Sequence, residues 1–275
     1  MPISMAFAKV FMKHYLSRGT QLMTQSYDWQ DAEDSFLKSF CSITRFPWGS
    51  IYLWKNEPLW PKFNFARISA DQTNATEIEK IANTFRNLSD YTAKEIWFRI
   101  PRSVTLESDW TTVLKKDSDA IVSITYKNDL REMPPKTNQT LLVRCTTESQ
   151  MRTWWEINSS GRSRTHIFGN SIWPIILEKS KNEENFFYLL KHNNLNVTCG
   201  ALSKFGQNLN SWGLATMSGY QKMGYSKMYL SEVSALHPGV FYSQIDEDSP
   251  RLSSLKLRPG TEILEIEDYY VYAHN

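Results

Sequence analysis

The sequence is poor in cysteine and carries almost no net charge. Its 275 residues include three cysteines, far apart and in neither a CxxC nor a CxxH pair, so a structural zinc site and a disulfide framework are poorly supported. The 31 basic and 29 acidic residues leave a net charge of +2. Because proteins that bind nucleic acids rely largely on neutralising phosphates, we expect no nucleic-acid partner.

Long apolar runs are absent as well. No segment of the sequence approaches the roughly 20 apolar residues that span a bilayer. Near the N-terminus, the apolar residues are interrupted by Lys9, Lys13 and His14, so a secretory signal is not expected either. These absences predict a soluble protein of the cytoplasm, without a membrane partner.

Aromatic residues, in contrast, are abundant. They make up 13% of the chain, and apolar residues as a whole make up 41%. This composition is typical of a globular protein and excludes a disordered tail. The many rings predict sizeable cores or a groove lined with apolar surface.

The predicted elements divide the chain into two halves that both mix helices and strands. Residues 131–140 (REMPPKTNQT) contain two prolines and several polar turn formers, and we interpret them as a linker between domains at 1–130 and 141–275. In the first half, the apolar periodicity predicts helices at 29–40 and 76–88. It predicts strands there at 50–54, 63–68, 95–100 and 121–126.

The second half begins with a predicted strand and two helices, at 141–145, 148–157 and 170–179. Three strand-like runs with short turns between them then predict an antiparallel meander, at 185–190, 196–202 and 209–216. A helix, a strand, a short helix and one or two closing strands follow, at 224–236, 240–244, 249–257 and 261–273.

The clearest motif lies where the last strand of the meander leads into the next helix. The tight turn there comprises Gln221, Lys222, Met223, Gly224, Tyr225 and Ser226. Such a turn directs backbone N–H groups into one concavity at the positive end of the helix dipole, which suits a phosphate or pyrophosphate. The glycine lets the anion approach closely, but the same residues also fit an ordinary strand-to-helix turn.

This turn resembles the acetyl-CoA motif of the GNAT-type N-acetyltransferase superfamily, Q/R-x-x-G-x-G/A at a strand-to-helix junction. The match fails only at Ser226, where glycine or alanine is usual. The order of the surrounding elements is similar over about 141–275. The resemblance implies an α/β fold (α+β mixed sheet) of the GNAT-like acyl-CoA N-acyltransferase type, preceded by a reduced GNAT-like half that has no such turn.

The resemblance also implies the ligands. Acetyl-CoA would be the co-substrate, with no metal. Backbone groups of Leu214, Ala215 and Thr216 would pair with the pantetheine arm, and the amides from Gln221 to Ser226 would hold the pyrophosphate. An acetyl group would pass directly to a primary amine in a ternary complex, without a covalent enzyme intermediate. The identity of the amine acceptor and the oligomeric state are not predicted.

The catalytic residues are not predicted. The family often uses a tyrosine acid four residues before a glycine near its end, but Lys256 occupies that position. Many relatives place a carboxylate base just before the pantetheine strand, where this chain has Asn210, Ser211 and Trp212. His166 is a weaker candidate base.

Two other functions therefore stay open. One is a non-catalytic protein that binds acyl-CoA or a partner, for which the missing acid and base are the motivation. The other is aminoacyl transfer from tRNA, which some tandem relatives perform; the near-neutral charge argues against it.

Overall fold

The computed structural model describes residues 26–54, 63–71, 73–89, 95–116, 123–129, 140–160, 169–206, 208–246, 252 and 260–273. Five α-helices form within these residues: α1 (Ser26–Leu37), α2 (Ala75–Ser89), α3 (Glu148–Ser160), α4 (Gly169–Ser180) and α5 (Tyr225–Leu236). The strands of the first half are β1 (Ser42–Phe46), β2 (Gly49–Leu53), β3 (Phe65–Ile68), β4 (Glu95–Pro101), β5 (Leu114–Lys116) and β6 (Ser123–Asp129). Those of the second half are β7 (Thr140–Arg144), β8 (Asn185–His192), β9 (Leu195–Phe205), β10 (Asn208–Thr216), β11 (Val240–Asp246) and β12 (Thr261–Ala273).

Helix α2 follows directly from its sequence. Asn74 accepts a hydrogen bond from the amide of Glu77 at 2.9 Å, and the Glu77 carboxylate accepts one from the amide of Asn74 at 3.1 Å. This reciprocal pair is a capping box, which fixes the start of the helix. The predicted apolar face is buried against β2, β3 and β4, with Ile78, Ile81, Ala82 and Phe85 at its centre.

The predicted meander is confirmed. Strands β8, β9 and β10 pair in antiparallel fashion, each with the next. The turn between β8 and β9 consists of Asn193 and Asn194, whose φ angles of 48° and 65° suit a tight hairpin turn. Strands β1 and β5 were not predicted, and both pair with neighbours in the same sheet.

The two halves of the chain share one mixed sheet. Its strand order is β1-β2-β3-β4-β12-β6-β11-β10-β9-β8-β7, and β5 also pairs with β12. Strand β6, from the first half, therefore lies between β12 and β11 of the second half. Strand β12 in turn pairs with β4, β5 and β6. The predicted linker at 131–140 lies, apart from Thr140, outside the described residues, and the boundaries at 1–130 and 141–275 stay a prediction.

The largest aromatic core also joins the halves. On one face of the sheet, rings from the first half (Phe40, Trp54 and Phe63) belong to the same buried cluster as Trp154 and Phe187 from the second. Helices α1, α3 and α4 cover this face. The abundant rings thus fill a sizeable core, as their number predicted, and this core also lies at the seam between the halves.

Candidate functional site

The candidate site begins where two parallel strands part. Strands β10 and β11 pair only at Leu209 with Phe241 and at Asn210 with Tyr242. Beyond these pairs β10 continues to Thr216 and β11 to Asp246 without a ladder between them. The C-terminal part of strand β10 contains the residues predicted to bind pantetheine. In the described chain its only partner strand is thus β9.

A bulge in β10 accompanies this parting. Trp212 pairs with Ala201 of β9, and the next pair is Ala215 with Cys199. From one pair to the next, the chain advances three residues on β10 but only two on β9. Strand β10 therefore contains the one extra residue that defines a β-bulge. Gly213 lies in it with φ +66°, a backbone conformation that glycine adopts readily.

The predicted phosphate turn lies directly after β10. A short 3-10 turn at Ser218–Tyr220 is followed by Lys222 and Gly224, with φ angles of 64° and 84°. Helix α5 begins at Tyr225, and its N-cap is Gly224, which has no side chain to cap the helix. The first amides of a helix have no partner within it. A Cβ atom at Gly224 would meet no heavy atom within 4 Å, so the space beside this turn is open.

The structure brings several of the predicted site residues together. The Thr216 hydroxyl lies 3.0 Å from the Ser226 hydroxyl and 3.1 Å from that of Thr198 on β9. The side-chain amide of Gln221 donates to the carbonyl of Thr216 at 3.4 Å. Ser226, the departure from the family motif, thus directs its hydroxyl back to β10, where it ties the start of α5 to the end of the strand.

The remaining predicted residues differ in exposure. Ala215 and Tyr225 are buried, and Leu214 packs against the core under α5. Lys222, Met223 and Gly224 are exposed. The assignment of these residues to a cofactor stays a prediction.

The positions where relatives often place a base are occupied by structural contacts. The Asn210 side chain donates to the carbonyl of Ala32 on α1 at 3.0 Å, and Trp212 Nε1 donates to the hydroxyl of Ser203 at 2.9 Å. The carbonyl of Ser211 accepts from the hydroxyl of Ser243 at 2.8 Å. Lys256 and His166 lie outside the described residues.

Two residues beside β10 were missed by the sequence analysis. Asn158 on α3 is buried and donates to the carbonyl of Gly213; it lies just beyond the predicted helix at 148–157, whereas α3 continues to Ser160. Lys179 on α4 donates to the carbonyl of Phe36 at 3.1 Å, among the rings of Phe36, Phe40 and Trp212. Burial lowers the pKa of Lys179 to about 7.

Two negative findings apply to the described part of the chain. It contains no cluster of three or more His, Cys, Asp or Glu residues arranged to hold a metal ion. None of its helices combines the length and the apolar character needed to cross a membrane.

Solved structures with the same architecture exist. No family model matches the sequence, and no curated protein does. A GCN5-related N-acetyltransferase from Kribbella flavida superposes with a TM-score of 0.64 at 9% identity, over 91% of this chain and 96% of that one. The chain has the fold of the GNAT acetyltransferases.

Two further structures extend this likeness. A tandem GNAT protein from the clavulanic acid biosynthesis pathway gives a TM-score of 0.50 at 9% identity, over 76% of this chain and 75% of that one. A conserved protein of unknown function from Staphylococcus epidermidis gives 0.66 at 12% identity, over 84% of this chain and 93% of that one. The mixed α/β GNAT fold expected from the sequence is thus confirmed, with a tandem protein among its likenesses.

Proposed function

We propose that the chain is an N-acetyltransferase that uses acetyl-CoA and a primary amine. The observation that carries the proposal is the geometry at the end of β10. There the strand parts from β11 and leads into a glycine turn with open space at the N-terminus of α5. An extended arm with amide groups suits the unpaired side of a strand, and a pyrophosphate suits the start of a helix.

The roles proposed for the residues are those that the resemblance to the GNAT superfamily implies. The backbone from Leu214 to Thr216 would hold the pantetheine arm, and the amides from Gln221 to Ser226 would hold the pyrophosphate. In the reaction, the neutral amine nitrogen forms a bond to the thioester carbonyl carbon and the carbon–sulfur bond breaks. The amine loses a proton, and the CoA thiolate gains one. The transfer is direct, within a ternary complex, and proceeds in the cytoplasm.

The cofactor assignment is tested at Gly224. A Gly224→Trp substitution should fill the open space of the turn and weaken acetyl-CoA binding at least 30-fold, as measured by calorimetry. Gly239→Trp is the matched control, because Gly239 also has a positive φ and no heavy atom within 4 Å of its Cβ position, but follows the other end of α5. Equal affinity in the wild type and Gly224→Trp would contradict the assignment.

Activity needs a separate measurement. Thioester consumption with a panel of amines distinguishes the transferase from a protein that only binds acyl-CoA. Such a binding protein is the second candidate, because Asn210 and Trp212 use their side chains for internal hydrogen bonds. Tight acetyl-CoA binding without turnover of any amine would favour this second candidate.

A further inference from the structure

The bulge of β10 is held from one side by helix α3. Asn158 donates a hydrogen bond from Nδ2 to the carbonyl of Gly213, across 55 residues of sequence. Four residues earlier on the same helix, Trp154 Nε1 donates to the carbonyl of Gly200 on β9 at 2.9 Å. Gly213 and Gly200 both lie within the register shift, so the two side chains hold both strands at the bulge.

The contact between α3 and the bulge is close. A Cβ atom at residue 213 would lie 2.8 Å from Cζ2 of Trp154 and 3.2 Å from Nδ2 of Asn158. Only a residue without a side chain fits there, and the φ of +66° selects glycine independently. Helix α3 therefore limits residue 213 to glycine and holds its carbonyl, to which the Cys199 thiol of β9 also donates at 3.7 Å.

Asn158 has no other evident purpose at this position. Asparagine is a weak helix former, and residue Asn158 is only 5% exposed. A buried polar side chain is retained where it satisfies a buried partner. Here the partner is a carbonyl at the point where the bulge interrupts the regular ladder between β10 and β9.

We propose that Asn158 is a positioning residue that fixes the bulge of β10 and thereby aligns residues 214–216 for the pantetheine arm. This inference rests on the proposed acetyl-CoA function. Asn158 itself touches the strand and not the reacting atoms. It should therefore influence binding of the arm without influencing binding of the nucleotide end of CoA at the turn before α5.

The experiment compares Asn158→Leu and the smaller Asn158→Ala with a control, Asn64→Leu. Asn64 is also buried and its side chain also bonds the backbone, accepting from the amide of Trp54 at 2.8 Å, but it lies in the first half of the chain. Two ligands are used: CoA, and 3′-phospho-ADP, which lacks the pantetheine arm. Amide hydrogen exchange of residues 211–217 is measured without ligand.

We expect both Asn158 variants to bind CoA at least 10-fold more weakly, to bind 3′-phospho-ADP within two-fold of the wild type, and to exchange faster at 213–216. The control should preserve both affinities and this local exchange. A folded Asn158 variant with unchanged hydrogen exchange or unchanged CoA affinity overturns the inference. So does an Asn158 variant that loses affinity equally for CoA and 3′-phospho-ADP, or a control variant that loses as much CoA affinity as the Asn158 variants. If the wild type binds neither ligand, the proposed function fails, and the exchange data alone still decide whether Asn158 fixes the bulge.

Discussion

Lys179 illustrates how one residue joins distant parts of this chain. Its ammonium group lies 4.8 Å from the ring centre of Phe36 and 5.1 Å from those of Phe40 and Trp212. It donates to the carbonyl of Phe36, in the last turn of α1, where a cation suits the negative end of the helix dipole. The rings and the carbonyl favour the charged form, whereas burial opposes it and lowers the pKa to about 7.

This pKa predicts a dependence of stability on pH. The pKa of Lys179 falls from the ordinary value of 10.5 to about 7 on folding, so between these values the unfolded chain binds the proton more strongly. Wild-type stability should therefore rise with pH relative to Lys179→Met, by up to about 1.4 kcal/mol per pH unit. Urea unfolding at pH 7, 8 and 9 measures the difference.

The control for this experiment is Lys181→Met. Lys181 is 66% exposed and pairs with Glu178 at the surface. Its variant should keep the pH profile of the wild type. If the profiles of Lys179→Met and the wild type run parallel as well, Lys179 keeps its proton in the folded chain and the prediction is wrong.

At the scale of elements, α1 is fixed to the sheet by a buried network of charges. Glu33 on α1 pairs with Arg67 on β3 and with Arg99 on β4, the latter at 2.7 Å. Both arginines also pair with Glu267 on β12. Two carboxylates thus balance two guanidinium groups, and all four side chains are at most 5% exposed.

Removing one charge from this network should destabilise the protein. Glu33→Gln leaves an excess positive charge buried, for which we expect a loss of about 3–5 kcal/mol in the free energy of unfolding. Glu148→Gln is the control, because Glu148 forms a surface pair with Arg152 in which both side chains are more than half exposed. That variant should lose about 0.5 kcal/mol or less.

The pH dependence adds a second measurement for Glu33. Burial raises the pKa of Glu33, but the charges of Arg67 and Arg99 outweigh this effect and lower it to about 2 from 4.5. The stabilisation by its charge is therefore complete above pH 4.5 and disappears as the pH falls through about 2. The difference in the free energy of unfolding between the wild type and Glu33→Gln should accordingly narrow from pH 4.5 downward. A difference that stays constant to pH 2 would contradict the prediction.

Elements with strong local patterns were predictable, and those defined by distant contacts were not. Helix α2 and the meander have clear apolar periodicity and were predicted to within a few residues. Strand β1 (SITRF) shows no alternation of buried and exposed residues, and β5 has only three residues. Neither pattern is strong enough to distinguish a strand from a loop.

The same distinction applies to the candidate site. The turn from Gln221 to Ser226 could be found because it is a contiguous motif. The inward hydrogen bond of Ser226 joins residues 10 apart, and that of Asn158 joins residues 55 apart. Such contacts depend on how elements pack, which a single sequence does not encode in any local pattern.

At the scale of the whole molecule, the two halves exchange strands. Strand β6 is the only described strand of the first half that pairs with β11, and β12 is the strand of the second half that pairs with β4. The strand order from β4 to β11 is β4-β12-β6-β11, so neighbouring strands there come alternately from the first and the second half of the chain. The exchange makes the stability of each half depend on the other.

This arrangement predicts that neither half folds alone. We expect residues 1–134 and 135–275, expressed separately, to show no cooperative unfolding transition, because β6 would lose both neighbours and β12 all three of its partners. Because Glu267 lies in the second fragment, the two buried arginines of the first fragment would have only one carboxylate of the network left, that of Glu33.

Mixing the two fragments should restore the transition, because the strands of each half complete the sheet of the other. The control is the full chain with a protease site introduced between Pro134 and Pro135 and cleaved after folding, which should keep its transition. Cooperative unfolding of either fragment by itself, followed by circular dichroism in urea, would show instead that a half can form its core without the exchanged strand.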